Sequence, residues 1–399
     1  MKNDQNPFLL KGYISPELFC NRVSETGKLV RNIQNGANTL LISNRRMGKT
    51  SLILHTFHTL NTTETIPCLF VDISATENIT EFTNQLASAM LHAFPEKTSM
   101  GKKVLKWIKG LRPIISYDPL SGTPQVSIAF SHAEQAENSL TGMFRFMEQM
   151  NIPIVIAFDE FQQIRAYPEK NIEALLRTHV QHLHNLRFIF SGSSKHILSD
   201  IFADSRRPFF ASTEMIALSE IDYQPYFLYI ENILKKHRRT ISSEAIDFIL
   251  LWSRRHTYYT QSVCNHVFAI GGPKIGIETV HKICSDILAE QEALFYQYRQ
   301  MLTPLQWKVL QGIAHEDKLY QPNSKMFLQK NRIGTPSNVQ RAMDALLRYE
   351  MIYREQDNQG SYYQVYDVFL SRWLENKPNS LRGFSDGQSR ASGKIRKGQ

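Results

Sequence analysis

"LLISNRRMGKTSLI", residues 40–53, decides the fold. A short apolar run, residues 38–43, leads into Gly-Lys-Thr, and helix-spaced Leu, Ile and Phe follow. A strand, a glycine-containing loop and a helix in this order are typical of a phosphate-binding loop. The first turn of a helix offers unpaired N–H groups and the positive end of the helix dipole to an anion. The stretch therefore predicts a nucleotide site of the P-loop type.

Each position of this loop has a predicted role. Lys49 is expected to reach the β- and γ-phosphates of ATP, and the Thr50 hydroxyl to ligate Mg²⁺. Ser43 stands where the usual pattern has its first glycine. If this position requires a positive φ, the cost is about 1–2 kcal/mol, which handicaps the site without destroying it. The loop residues predicted to contact the nucleotide are Asn44, Arg45, Arg46, Met47, Gly48, Lys49, Thr50 and Ser51.

A second apolar run ends in two carboxylates and supplies the other half of the predicted site. In "IVIAFDEF", residues 154–161, Asp159 is expected to hold Mg²⁺ and Glu160 to activate the attacking water. The alternative is an acidic pair that opens a helix, where negative charge suits the helix dipole. The P-loop upstream favours the catalytic interpretation.

Two further stretches carry weaker candidates. "FIFSGSS", residues 188–194, places Ser193 where it could contact the γ-phosphate and the water, although Ser-Gly-Ser is also ordinary turn chemistry. "ADSRRPFF", residues 203–210, offers Arg206 and Arg207 as an arginine finger, although surface arginines are common. A finger supplied from a second copy would require a homo-oligomer.

The order of patterns predicts an α/β chain with a parallel sheet covered by helices on both faces. The five predicted strands lie in residues 38–43, 66–74, 152–161, 186–194 and 214–221. An insertion at about 95–131 combines a Lys-rich amphipathic helix, whose lysines are best explained as a solvated face, with a hairpin around Ser121-Gly122. Later in the chain, three helical patterns and a hairpin follow the order of a winged helix. The predicted domains are a P-loop core at 1–221, a helical lid at 222–300, a winged helix at 301–375 and a disordered basic tail at 376–399.

Composition limits the class of protein. The 399 residues carry a formal net charge of +9, and about +5 of it lies between Lys377 and Gln399. The excess favours polyanionic partners without naming one. The four cysteines form no C-x-x-C pair, and no signal peptide or window of about 18 apolar residues occurs. We therefore expect a cytoplasmic protein with no membrane partner.

These residues together resemble the archaeal-type ATPase family within the AAA+/STAND P-loop NTPases. They are most similar to ATP-binding proteins common in Bacteroidetes. The resemblance rests on "NPFLLKGYISPELFCNR" and "ISNRRMGKT" and spans roughly residues 6–375. In that subgroup a residue other than glycine is ordinary at the position of Ser43, so the resemblance implies a working site. It also implies an ATPase core with a central P-loop strand, a helical lid and a winged helix.

The resemblance adds two groups of site residues. It places Asn21 and Arg22 near the adenine, and residues 254–261 in the lid. There Arg255 or His256 either senses the phosphates or forms a solvated helix end. Other members have Gly-His-Pro-Tyr-Tyr in this segment; this chain lacks the Gly and the Pro, so its lid turn is in question.

Two hypotheses for the function of the ATPase remain open. In the first, ATP drives a switch or motor on double-stranded DNA, and residues 337–350 form a recognition helix that exposes Asn338, Gln340, Arg341 and Arg348. In the second, the chain is a STAND-like regulator whose winged helix binds protein, since residues 324–360 carry a net charge of only about +2, six basic against four acidic residues. A protein that holds ATP without hydrolysing it is a third possibility. The presence of both carboxylates argues against it.

Overall fold

A computed structural model describes residues 6–376. Residues 377–399 of the predicted basic tail lie outside them. The chain forms two compact units: one comprises residues up to Leu250 together with Arg255–Lys274, and the other comprises Leu251–Arg254 together with the chain from Ile275 onwards. The predicted lid, 222–300, is thus divided between the two units, and its boundaries stay a prediction.

Strands and helices alternate through the first unit, and helices dominate the second. The strands are β1 (Thr39–Ile42), β2 (Cys68–Asp72), β3 (Ile114–Tyr117), β4 (Pro124–Ser127), β5 (Ile154–Asp159), β6 (Leu186–Gly192), β7 (Glu214–Ala217), β8 (Thr240–Ile241), β9 (Lys274–Ile275), β10 (Ile352–Asp357) and β11 (Gly360–Val365). The helices are α1 (Val23–Gln34), α2 (Lys49–Thr63), α3 (Ile79–Ala93), α4 (Ser99–Lys109), α5 (Ala133–Glu148), α6 (Ile172–His182), α7 (Lys195–Ala203), α8 (Tyr223–Lys236), α9 (Ser243–Trp252), α10 (Thr257–Ile270), α11 (Ile277–Glu290), α12 (Glu292–Met301), α13 (Pro304–Glu316), α14 (Lys325–Lys330), α15 (Pro336–Arg348) and α16 (Val368–Glu375). Short 3-10 helices occupy Pro16–Leu18 and Phe161–Ala166.

The first unit is built on a five-stranded parallel sheet in the order β2-β5-β6-β1-β7. Each predicted strand is present, which confirms the α/β fold with a parallel sheet. The P-loop strand β1 lies between β6 and β7, so it is interior, but β6 rather than β1 is central. The carboxyl ends of β1, β5 and β6 therefore meet along one edge of the sheet.

Burial on both faces explains why the strands read as continuous apolar runs. Every residue of β5 is buried. Ile154, Ile156 and Phe158 belong to one hydrophobic core, and the alternate residues Val155 and Ala157 belong to a second core on the opposite face. A strand covered on both faces has no polar side to alternate with.

A cluster of phenylalanine rings fixes the ends of β5 and β6. The ring of Phe190 lies within 6.1 Å, centroid to centroid, of five other rings, which belong to Phe158, Phe161, Phe188, Phe202 and Phe209. Phe158 and Phe161 flank the pair Asp159-Glu160 in the sequence, and Phe190 precedes Ser191. Packing of these rings therefore positions the polar residues that follow each strand.

The predicted hairpin around Ser121-Gly122 is also present. β3 and β4 pair antiparallel from Ile114↔Ser127 to Tyr117↔Pro124. Helix α4 precedes the hairpin and begins at a threonine cap, because Thr98 Oγ1 accepts a hydrogen bond from the Gly101 N–H at 2.9 Å.

The second unit contains the predicted winged helix. Three helices, α13, α14 and α15, are followed by the antiparallel hairpin β10-β11, which turns at Asp357–Gly360. Helix α13 packs on α15, α16 and β11. None of the helices within residues 6–376 has the length and apolar character needed to cross a bilayer.

Candidate nucleotide-binding site

The loop between β1 and α2 leaves the start of α2 open to an anion. Gly48 precedes the helix with φ of 93°, a left-handed conformation that glycine adopts without steric cost. As the N-cap residue, it has no side chain that could accept a capping hydrogen bond. The first N–H groups of α2 have no acceptor within the helix, so a phosphate group fits this position.

Ser43 does not carry the backbone strain that its position in the pattern suggests. The left-handed conformations of the loop fall on Arg46, with φ of 61°, and on Gly48. Ser43 is fully buried; its Oγ donates to the Asn44 carbonyl at 2.8 Å and accepts from Lys49 Nζ at 3.2 Å. Lys49 Nζ also donates to the Asn44 carbonyl, at 3.3 Å. The serine therefore helps to orient the lysine.

We expect Ser43→Gly, which restores the usual glycine, to lower the free energy of unfolding by about 1–2 kcal/mol. The change removes two hydrogen bonds of a buried hydroxyl and adds backbone freedom to the unfolded chain. Urea denaturation measures the effect, and Ser121→Gly in the exposed hairpin loop is the control. A more stable Ser43→Gly protein would mean that the serine is under strain after all.

Thr50 and Asp159 lie together at the edge of the sheet. Thr50 Oγ1 donates to Asp159 Oδ2 at 2.6 Å, and Ser191 Oγ at the end of β6 donates to Asp159 Oδ1 at 2.7 Å. Asp159 is 4% exposed and Lys49 is 5% exposed. A buried carboxylate beside a hydroxyl is a donor set that Mg²⁺ prefers.

Burial shifts the pKa of both charged groups. It lowers the pKa of the Lys49 amine, and the carboxylates of Glu160 and Asp159 partly offset this effect. Burial raises the pKa of the Asp159 carboxyl, opposed by the hydrogen bonds from Thr50 and Ser191. Neighbouring charged groups whose pKa values are shifted by burial make this a candidate functional site.

Glu160 has an unusual backbone and a crowded carboxylate. Its φ is 56°, a left-handed conformation that costs a non-glycine residue of order 1–3 kcal/mol. Its Oε2 accepts from Ser193 Oγ at 2.9 Å, from the Ser193 N–H at 3.3 Å and from the Gln162 side-chain amide. The two residues predicted as base and as phosphate contact, Glu160 and Ser193, are thus hydrogen-bonded to each other.

Gln162 is held against the end of β6. Its Oε1 is buried with no hydrogen-bond partner among the described residues. A Cβ built on Gly192 would lie only 2.0 Å from this oxygen, so the amide occupies the space that a side chain at 192 would need. Sequence reasoning missed Gln162, and the only signal was a polar pair, Gln162-Gln163, one residue beyond the two carboxylates.

The N-terminal segment lies beside the loop. A cavity of about 70 Å³ is lined by residues that include Tyr13, Arg22, Met47 and Gly48. Arg22 is 4% exposed, and its Nη2 donates to the Met47 carbonyl at 3.4 Å. Of the two residues that the resemblance places near the adenine, Arg22 lines this cavity and Asn21 does not.

Helix α10 reaches the loop through Thr257 and Tyr258, which lie in the segment 254–261 that the resemblance places in the lid. Thr257 Oγ1 donates to the Met47 carbonyl at 3.1 Å, and the Arg46 guanidinium lies 4.5 Å from the Tyr258 ring centroid. Arg255 adopts φ of 53°, a left-handed conformation, at the position where the proteins that the sequence resembles have glycine. Thr257 and His256, rather than a proline, begin the helix. Thr257 is 210 residues from Met47, and no local pattern predicts this contact.

Arg206 and Arg207 are paired with acids on their own chain. The Arg206 side chain is 87% exposed, and its Nη2 lies 2.9 Å from Asp204 Oδ2. Arg207 Nη1 lies 3.6 Å from Glu173 Oε1. These contacts are with neighbouring acids, and the role of either arginine as a finger stays a prediction.

Comparison with known proteins shows a winged helix domain and a fold shared with solved structures. Residues 293–376 match a family model described as a "probable winged helix domain". The chain is similar in fold to a Walker-type ATPase of Pyrococcus abyssi, with a TM-score of 0.61 and 17% identity over 92% of this chain and 99% of that chain. The chain therefore shares the fold of a Walker-type ATPase, and a winged helix domain occupies residues 293–376.

Two further solved structures have the same fold. The ORC2 protein of Aeropyrum pernix, in ADPNP–ADP complexes, has a TM-score of 0.55 and 14% identity over 94% of this chain and 96% of its own. The ORC1 protein of Aeropyrum pernix in complex with DNA has a TM-score of 0.50 and 12% identity over 93% of this chain and 96% of its own. No curated protein matches the sequence.

Proposed function

We propose that this protein binds ATP with Mg²⁺ and hydrolyses it, and that the nucleotide state controls a DNA-binding winged helix. The observation that carries the proposal is the meeting of Lys49, Thr50, Asp159, Glu160 and Ser193 at the carboxyl ends of β1, β5 and β6. Thr50 is hydrogen-bonded to Asp159, and Ser193 is hydrogen-bonded to Glu160. Burial lowers the pKa of the Lys49 amine, and the carboxylates of Glu160 and Asp159 lie close enough to oppose this effect.

Thr50 and Asp159 would hold Mg²⁺, since a hydroxyl and a carboxylate already lie 2.6 Å apart there. The bound ion would neutralise charge on the β- and γ-phosphates. The Lys49 amine, released from Ser43 and the Asn44 carbonyl, would donate to the same phosphates.

Glu160 would act as the base. Its carboxylate takes a proton from the water whose oxygen attacks the γ-phosphorus, while the bond from that phosphorus to the bridging oxygen breaks and ADP leaves. In the described conformation one carboxylate oxygen already accepts from Ser193 and Gln162. The proton would go to the other carboxylate oxygen, Oε1, which accepts none of these hydrogen bonds.

The contacts of α10 give the nucleotide a route to the lid. Thr257 and Tyr258 contact Met47 and Arg46, the loop residues directly before Gly48. Phosphates bound at the start of α2 would change the surroundings of these loop residues. We therefore assign the lid response to Thr257 and Tyr258, beside the predicted sensors Arg255 and His256.

Double-stranded DNA is the partner that we propose for the winged helix. Gln340, Arg341 and Arg348 are exposed on α15, the third helix of the motif. The ORC1 neighbour, which shares this fold, was solved in complex with DNA. One observation favours the alternative. Asp344 lies on the same exposed face of α15 and accepts from Gln340 at 2.9 Å, so this face is less positively charged than its arginines alone would make it. A less basic face would suit a STAND-like regulator whose winged helix binds protein.

Assembly is a separate part of the proposal. Arg206 is exposed enough to reach the site of a second copy if it exchanges Asp204 for a phosphate. A homo-oligomer would then complete the catalytic site.

ATP hydrolysis with and without a 30-base-pair duplex tests the function. We expect wild type to hydrolyse ATP, Lys49→Ala to lose hydrolysis, and DNA to raise turnover about fivefold or more, the lower range of coupling between two sites. Arg341→Ala/Arg348→Ala should lose the stimulation, whereas Lys235→Ala/Lys236→Ala, two exposed lysines of α8, should keep it. Hydrolysis indifferent to DNA would support the protein-regulated switch instead, and equal rates for wild type and Lys49→Ala would contradict the ATPase.

A further inference from the structure

The edge strand β3 is unprotected. Within residues 6–376 it pairs with β4 alone. Its sequence, "IISY", has no charge, and the side chains of Ile114 and Tyr117 are 74% and 66% exposed. Edge strands that have no charge and no bulge tend to accept another strand. The strand belongs to the insertion rather than to the five-stranded sheet, so the proposed ATPase chemistry does not account for it.

Hydrogen bonds of β4 show which backbone groups of β3 face outwards. The Val126 N–H donates to Ser88 Oγ at 2.8 Å and the Ile128 N–H to Asn84 Oδ1 at 3.0 Å, so both point towards α3 and away from β3. Ile115 lies opposite Val126. In an antiparallel pair, residues opposite each other without mutual hydrogen bonds turn their N–H and C=O groups outwards. Ile115 and, two residues on, Tyr117 therefore present their backbone groups at the open edge.

A groove of about 440 Å³ accompanies this edge. It lies between the hairpin and the helices α3 and α4, and its lining includes Ile115, Tyr117, Leu91, Phe94 and Leu105. Because alternate residues of a strand point to the same face, a segment that pairs with β3 could place every second side chain in the groove.

The charge of the surface beside the groove indicates which kind of segment would bind there. The exposed face of α4 carries Lys102, Lys103, Lys106 and Lys109. Lys109 lines the groove together with one acid, Glu96, so the positive charge of the surface comes from the lysines along α4. Residues 95–131 contain six Lys and Arg against two Asp and Glu, a net of +4. Apolar lining combined with a basic rim fits a segment in which apolar residues alternate with acidic ones.

We infer that the open edge of β3 and its groove form a docking site for an extended acidic segment of a partner protein, bound as an added β-strand. The phosphates of a nucleic acid could pair with the lysines of α4. They would make no contact with the apolar groove and no hydrogen bonds with the outward N–H and C=O groups of β3. A peptide strand satisfies all three features.

The probe is a fluorescein-labelled eight-residue peptide of alternating glutamate and valine, titrated by fluorescence anisotropy. We expect saturable binding, at least about tenfold tighter than for the same peptide with lysine in place of glutamate. Lys106→Glu/Lys109→Glu should remove this preference. Lys235→Glu/Lys236→Glu makes the same charge change on α8 and should keep it.

Backbone pairing is tested by comparing Ile115→Pro with Ile115→Ala. Both lose the side chain, but only proline removes the outward N–H, and edge positions tolerate proline. We expect Ile115→Ala to bind the peptide at least about fivefold more tightly than Ile115→Pro. Equal affinities, or no preference for the acidic peptide, would overturn the proposal.

Two other occupants are also tested. A wild-type dimer in sedimentation that Ile115→Pro converts to monomer would assign the edge to a second copy of this chain. A single-stranded oligonucleotide that displaces the peptide and fails to bind Lys106→Glu/Lys109→Glu would assign the surface to nucleic acid. Either result would overturn the proposal of a partner peptide.

Discussion

Glu160→Gln is expected to lower the turnover number for ATP by about 10²–10⁴-fold and to change the dissociation constant for ATP by less than about twofold. Glutamine retains the size of the side chain and can still accept from Ser193 through its carbonyl oxygen. It cannot take a proton from water. In the proposed site the phosphates would be bound by Lys49, Thr50 and the N-terminus of α2, none of which changes.

Two measurements distinguish the loss of the proposed base from a general loss of structure. Single-turnover hydrolysis gives the chemical step, and titration with a fluorescent ATP analogue gives the affinity. Ser193→Ala is the matched variant, because it removes one donor from Glu160 Oε2 and keeps the base. We expect its effect to be much smaller than that of Glu160→Gln. Turnover of Glu160→Gln within tenfold of wild type would mean that another group activates the water.

Phe190→Ala is expected to lower the free energy of unfolding by about 3–5 kcal/mol. The ring is 1% exposed and is surrounded by five other phenylalanine rings, so its removal leaves a cavity that rigid neighbours cannot fill. Denaturant titration followed by circular dichroism measures the loss. Because Phe190 precedes Ser191, which holds Asp159, hydrolysis should fall as well.

The control for this change is Leu120→Ala in the hairpin loop. Leu120 is 97% exposed, so its truncation should alter stability by less than about 0.5 kcal/mol. A loss below about 1 kcal/mol for Phe190→Ala would show that the ring cluster relaxes and is not rigidly packed.

The core of the fold is predictable from sequence because both of its signals are local. Strands such as β5 are buried on both faces and therefore appear as unbroken apolar runs, and the chemistry of such folds lies directly after the strands. Lys49, Asp159 and Ser193 are found from these positions alone, and the structure brings them to one edge of the sheet. Their catalytic roles stay predictions until the variants are measured.

Other parts of the site depend on contacts that no local pattern encodes. Thr257 reaches Met47 across 210 residues of sequence. The usual glycine pattern suggests backbone strain at Ser43, whereas the left-handed residues in the loop are Arg46 and Gly48. The cluster of phenylalanine rings around Phe190 also depends on packing between distant segments. The same is true of the open edge of β3.

Gly192 shows how a residue without a functional group can limit which sequences are compatible with catalysis. Any side chain there would push the Gln162 amide from its place, because even a Cβ would approach its oxygen to 2.0 Å. Gln162 in turn contacts the carboxylate of Glu160. Substitution at 192 would therefore alter a contact of the proposed base while every residue of the proposed site remained in the sequence. The nucleotide-binding motif would then be complete in a variant whose Glu160 carboxylate is held differently.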